Sequence, residues 1–169
     1  MKNLKKLLLV IAPLTLVLSG CWIYSFSGAS IPLNMKTVNV VFFENNAPIV
    51  VPNLSTLFTE ALKTRIRNQS SLTVVRGDDA DGTFEGRITD YSIKPVAITG
   101  NDRSEATRLT ITVSVKYTNK LVAEQSFEQS FSRFKDFQGS NLTPVEQALI
   151  ADINRQLTED IFNRAFANW

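Results

Sequence analysis

The sequence predicts an α+β fold in a single domain, of order β-α-β-β-β-β-α, with two amphipathic helices packed on one face of a four- to five-stranded mixed, mainly antiparallel sheet. Three observations predict it. Leu109, Ile111, Val113, Val115 and Tyr117 alternate with Arg108, Thr110, Thr112, Ser114 and Lys116, the period-two pattern of a strand with one face in a core and one in water. Leu54, Leu57, Phe58, Ala61, Leu62 and Ile66 recur at helical spacing, as do Leu149, Ile153, Leu157, Ile161 and Ala165 near the other end. A strand-like run lies on each side of the first helix, an order that often forms a βαβ unit with right-handed crossover.

The first residues stand outside that pattern. Lys2, Lys5 and Lys6 precede an apolar run from Leu7 to Leu18, the layout of a secretory signal peptide. The run is twelve residues and carries Pro13, whereas a membrane-spanning helix needs roughly twenty apolar residues. Leu18-Ser19-Gly20-Cys21 then matches a lipobox, in which small residues fit a protease groove and the cysteine sulfur takes up a diacylglyceryl group. Cleavage before Cys21 frees an amine for further acylation, and several acyl chains, at about 0.8 kcal/mol per buried methylene, anchor where one binds reversibly. The division expected is a signal peptide at 1–20, a lipidated tether at 21–34 and an α+β domain at 35–169. Cys21 is the sole cysteine, so no disulfide forms within the chain. Removing residues 1–20 leaves 149 of the 169, enough for one core, and turns the formal charge from +2 to about −1. No global basic field then argues for nucleic acid.

In the rest of the chain, Trp22 to Asn34 mixes aromatics with Ser, Gly and Pro and suits a tether. Thr37 to Phe43 reads as a buried strand, apolar on both faces from Val40 onward, and the Asn- and Pro-containing segment from Glu44 to Asn53 as a loop. Asn53 is placed to cap the first helix. Ser71 to Val75 is a short second strand, and Gly77 to Gly82 a solvated acidic turn. Thr83 to Ile93 is a third strand whose alternation slips after Ile88, the mark of a bulge near Asp90-Tyr91. A turn at Thr118-Asn119-Lys120 leads to a strand with Leu121, Ala123, Phe127 and Phe131 inward, which pairs Val115 with Ala123 and Ile111 with Phe127. Thr143-Pro144-Val145-Glu146 is a capping box that opens the last helix.

Little in this chain points to catalysis. It has no histidine, which removes the commonest general base and metal ligand and makes a His-dependent triad impossible. Asp78, Asp79 and Asp81 lack the ligand spacing of a calcium loop, and no glycine-rich loop opens a helix. What remains is a polar sheet face. Arg87, Arg108 and Lys116 point to it, with Lys94 and Arg103 near its rim, and guanidinium forks there suit phosphate or carboxylate. Glu124 and Glu128, on the neighbouring strand, are the opposing possibility: they neutralise these cations in cross-strand pairs.

Several stretches resemble the LptE family of lipopolysaccharide-assembly lipoproteins. They are Tyr24-Ser25-Phe26-Ser27-Gly28, Leu57-Phe58-Thr59-Glu60-Ala61-Leu62, Phe84-Glu85-Gly86-Arg87-Ile88-Thr89, Arg108-Leu109-Thr110-Ile111-Thr112-Val113, Phe127-Glu128-Gln129-Ser130-Phe131-Ser132, and Glu159-Asp160-Ile161-Phe162-Asn163 with Ala167-Asn168-Trp169. Each is weak alone; their order is more specific. The resemblance implies two helices on one face of a sheet, no enzymatic chemistry and no cofactor. It implies an outer-membrane lipoprotein facing the periplasm that sits inside the β-barrel protein LptD, helps it fold, plugs it, and contacts lipopolysaccharide. Basic residues on the sheet side meet the ligand's anionic head in the better-known branch of the family. This chain departs from that branch, so Arg87, Arg108, Lys116, Lys94 and Arg103 are candidates from geometry alone.

Two other readings compete. A periplasm-facing lipoprotein adaptor that activates or scaffolds a cell-wall synthase or a secretion pore shares the pattern of a helix, a short strand, an acidic turn and Phe84-Glu85-Gly86-Arg87-Ile88. An anchored hydrolase using Ser or carboxylates has no motif behind it.

Overall fold

A computed structural model describes residues 31–96 and 106–167. The sequence-predicted signal peptide, Cys21, most of the tether, Arg103 and Trp169 lie outside the described residues. The elements are β1 (Thr37–Val40), β2 (Glu44–Asn45), α1 (Leu54–Gln69), β3 (Thr73–Val75), β4 (Gly82–Val96), β5 (Ala106–Asn119), β6 (Phe127–Gln138) and α2 (Glu146–Phe166). They build one mixed sheet of order β3-β1-β4-β5-β6, with β2 beside β4. β1 runs parallel to both β3 and β4, and β4, β5 and β6 are antiparallel. The α+β class and the strand-helix-strand unit are therefore as the sequence predicts.

Both helices lie on one face. Leu54, Phe58, Leu62 and Ile66 of α1 and Ile150, Ile153, Leu157, Ile161 and Phe162 of α2 are buried, as are Ile88, Tyr91, Leu109, Ile111, Val113 and Val115 from the sheet. Phe84, Tyr117 and Phe166 form an aromatic cluster between β4, β5 and α2. Ile31 also packs on this core, so the packed chain begins ahead of β1. α2 is held to β6 by charge: Arg133 donates both guanidinium arms to Asp160, while Lys135 and Arg155 meet on Asp152.

The structure corrects several details. The first strand stops at Val40, and β1 and β2 straddle one extra residue against β4: Val40 pairs with Phe84, Glu44 with Arg87. That bulge leaves Val41 and Phe42 in solvent, Phe42 54% exposed, while Phe43 is buried and its N–H donates to Thr59 Oγ1. Asn53 does not cap α1 through its side chain; it takes a left-handed conformation, φ 64°, which asparagine tolerates. The predicted capping box also fails. The N–H groups of Val145 and Glu146 bond to the Leu142 carbonyl, and the Glu146 carboxylate accepts the Tyr91 hydroxyl at 2.7 Å. Asp81 is no solvated turn residue, because its carboxylate accepts the Lys36 and Thr37 N–H groups and the Thr37 hydroxyl.

The largest correction concerns the last hairpin. Val115 pairs with Gln129 and Ile111 with Arg133, not with Ala123 and Phe127. A 3-10 turn at Ala123–Gln125 lengthens the connection, and Asn119 organises it by accepting the Leu121 and Val122 N–H groups. The register moves by an even number of residues, so Phe127 and Phe131 keep the face predicted for them while Leu121 and Ala123 leave the sheet. The predicted bulge in β4 is present, with the register shifting between Ile88 and Asp90.

Candidate functional site

The face of the sheet away from the helices is built by simple alternation. On β5 the even-numbered residues Arg108 to Lys116 point there. On β4 the bulge at Thr89 changes the parity, so Glu85 and Arg87 before it and Asp90, Ser92 and Lys94 after it share that same face. On β6 the contributors are Glu128, Ser130, Ser132, Phe134 and Asp136.

Register divides the predicted cations into two groups. Arg87 lies opposite Ser114, two residues from Lys116, and both line a shallow groove of about 450 Å3 with Val41 and Phe42. Lys94 lies opposite Arg108 at the other end of the hairpin. Arg108 and Lys116 are eight residues apart on one strand, roughly 26 Å at about 3.3 Å per residue, so one small anion cannot bridge them.

The two ends differ in charge. Lys116 donates to Glu85 at 2.7 Å and faces Glu128 across the ladder; the Glu85 hydrogen bond, then its charge, raise the Lys116 pKa above the ordinary lysine value. Glu44 lines the same groove beside Arg87, so three carboxylates surround two cations there. At the far end Arg108 binds Asp136 through two arms at 2.7 and 2.9 Å and lies over the Phe134 ring, 3.7 Å from its centroid. That bond raises the Arg108 pKa and lowers that of Asp136. Lys94 is exposed and has no ion pair among the described residues, so this end carries two cations against Asp136, with Asp90, opposite Thr112, midway between the two ends.

Cross-strand neutralisation is therefore real, but its agents are Glu85 and Asp136 more than the carboxylates expected. Glu124 sits in the 3-10 turn and is not on the strand. Sequence reasoning missed Asp136 and Phe134, although their even positions, once Phe127 and Phe131 point inward, would have placed them on the open face. Among the described residues no cluster of His, Cys, Asp or Glu is arranged to hold a metal, and no helix is long and apolar enough to cross a membrane.

A family model described as LptE, Lipopolysaccharide-assembly, matches residues 35–165, nearly the whole of the described domain. The chain belongs to the LptE family. No curated protein matches. Among solved structures, lipoprotein B from Nitrosomonas europaea is 13% identical and aligns 85% of this chain with 88% of its own, at a TM-score of 0.55. The hypothetical protein CT253 from Chlamydia trachomatis is 10% identical, with 79% and 99% covered and a TM-score of 0.53. At such identities both show the shared fold alone. Membership in LptE makes this a lipoprotein of the lipopolysaccharide-assembly class, as the sequence resemblance implied.

Proposed function

We propose that this LptE-family protein is anchored to the outer membrane through acylated Cys21, faces the periplasm, plugs and helps assemble an LptD-type β-barrel, and takes part in inserting lipopolysaccharide into the outer leaflet. The observation that carries the reading is the family match over residues 35–165. In this reading residues 1–20 are the export signal, 21–34 the lipidated tether and 35–169 the working domain. The protein acts by binding and needs no cofactor. Its open sheet face is large and polar, as suits the wet interior of a barrel, and its other face is filled by the helices.

Of the five candidate cations, Lys94 and Arg108 at the net-positive end are the better phosphate contacts, with Arg103 in the segment joining β4 to β5. Arg87 and Lys116 share their end with an excess of carboxylate, which opposes an anionic ligand.

The test is affinity purification of the whole chain from membranes. A large β-barrel protein should co-purify, and metabolic fatty-acid label should enter the wild type and not Cys21→Ala. Recovery of a cell-wall synthase or a secretion pore without a barrel would replace this reading by the adaptor one.

A further inference from the structure

Opposite β6, the sheet ends on β3, whose outer edge is unpaired among the described residues. The flank of α1 stands beside that edge, and together they enclose a groove of about 630 Å3. Thr73 N–H bonds to the Lys36 carbonyl, so Thr73 and Val75 spend their backbone groups on β1. Strand geometry then turns the N–H and C=O of Val74 outward, toward the groove. Val40, Val41, Phe42 and Val74 are apolar residues of its lining, beside the polar Asn39, Thr56 and Thr59.

Its rim is basic. Lys63, Arg67 and Arg76 line it against one carboxylate, Glu60, and Lys63 takes that carboxylate at 2.8 Å. Arg67 and Arg76 are exposed, with no ion pair among the described residues. The Lys63 hydrogen bond, and after it the charges of Lys63, Arg67 and Arg76, hold Glu60 below its ordinary pKa.

We propose that an acidic, extended segment of a partner protein docks in this groove by adding a strand to β3, with its carboxylates on Arg67 and Arg76. A groove between an edge strand and a helix flank is a geometry in which peptides bind by strand addition, backbone bonds giving affinity and alternate side chains specificity. A lipid chain would leave the outward Val74 groups unsatisfied. A second copy pairing through the same edge by a two-fold axis would bring the arginines of both copies together. An acidic peptide satisfies both the backbone and the charge. The docking groove uses neither the candidate cations of the sheet face nor the anchor, although Val41 and Phe42 also line the groove at Arg87 and Lys116.

The test uses the whole chain in neutral detergent and a short, end-capped, fluorescein-labelled peptide alternating aspartate with valine. Anisotropy should show saturable binding that the same peptide with lysine in place of aspartate does not show. Arg67→Glu with Arg76→Glu should weaken it at least about tenfold, the change that 1.4 kcal/mol produces. Exchange of the Val74 amide hydrogen should slow in the complex. Val74→Pro removes the outward donor without touching the bonds of Thr73 and Val75 to β1, and should abolish binding. If that variant unfolds, the double reversal decides, because its side chains lie outside the core. Equal binding of the lysine peptide, no effect of the double reversal, or binding of phosphatidylglycerol vesicles at Arg67 and Arg76 in place of the peptide would overturn the proposal.

Discussion

At Gly86 a methyl group would run into the Ser114 carbonyl of the next strand and the ring of Phe43. The missing side chain thus lets β4 and β5 approach while Phe43, turned inward by the β1–β2 bulge, fills the space above. Gly86→Ala should lower unfolding stability by about 1–3 kcal/mol, the usual cost of overpacking, in a urea titration. An unchanged midpoint would mean that the neighbours give way freely. Asp81 makes a different prediction. Its carboxyl lies below the ordinary aspartate pKa because the Lys36 and Thr37 N–H groups and the Thr37 hydroxyl bond to the charged form. A depressed folded pKa contributes stability that is complete above the unfolded value of about 3.9 and disappears as pH falls through the folded one. Asp81→Asn should therefore lower the urea midpoint at neutral pH and flatten its decline below about pH 4. Neither role was legible in the sequence: Asp81 reads as one of three turn acids, and nothing there singles out Gly86. Both depend on residues distant in the chain.

Elements were legible wherever one face meets the core and the other meets water. The alternation of β5, the slip at the β4 bulge and the stripes of both helices survive, because burial on one side imposes a period that the sequence must carry, except that Leu57, read as part of the α1 stripe, is 41% exposed. What failed lay at element ends. Asn53 serves the backbone and not a cap, Glu146 is claimed by Tyr91 from a strand 55 residues away, and the β5–β6 connection carries an extra 3-10 turn. The register of β5 nevertheless makes a sharp prediction. Ile111 is fully buried, and Ile111→Asp should unfold the domain, since its carboxylate would be desolvated without a partner. Thr112 points the other way and shares a hydrogen bond with Ser132 across the strand, so Thr112→Asp should melt close to the wild type. Similar melting temperatures for the two variants would contradict this register.

For the molecule as a whole, two helices close one face of the sheet and leave the other open, and under the proposed function the charge on that open face selects where an anionic ligand binds. The sequence put Arg87, Arg108 and Lys116 on it and Lys94 only near its rim, whereas the register places Lys94 on the face as well, opposite Arg108. It did not reveal that the strands separate them into two groups, because that requires the hairpin register and the identity of the carboxylates opposite. At one end Glu44, Glu85 and Glu128 outnumber Arg87 and Lys116; at the other Lys94 and Arg108 outnumber Asp136. Lys94→Glu should therefore weaken binding of lipopolysaccharide to the whole chain roughly tenfold, equivalent to about 1.4 kcal/mol, whereas Lys116→Glu should change it much less. Arg108→Glu should cost at least as much as Lys94→Glu, since it also sets a carboxylate against Asp136 and removes the cation from the Phe134 ring. Binding should weaken with salt, as exposed charges are screened over about 8 Å at physiological ionic strength. If the proposed plug role holds, co-purification of the barrel should persist in all three variants, because an interface of that kind would rest on far more than one charge. The measurement is lipopolysaccharide binding by each purified, folded variant across a salt series. A larger loss from Lys116→Glu than from Lys94→Glu would move the ligand to the groove at Arg87 and show that local net charge does not select the site.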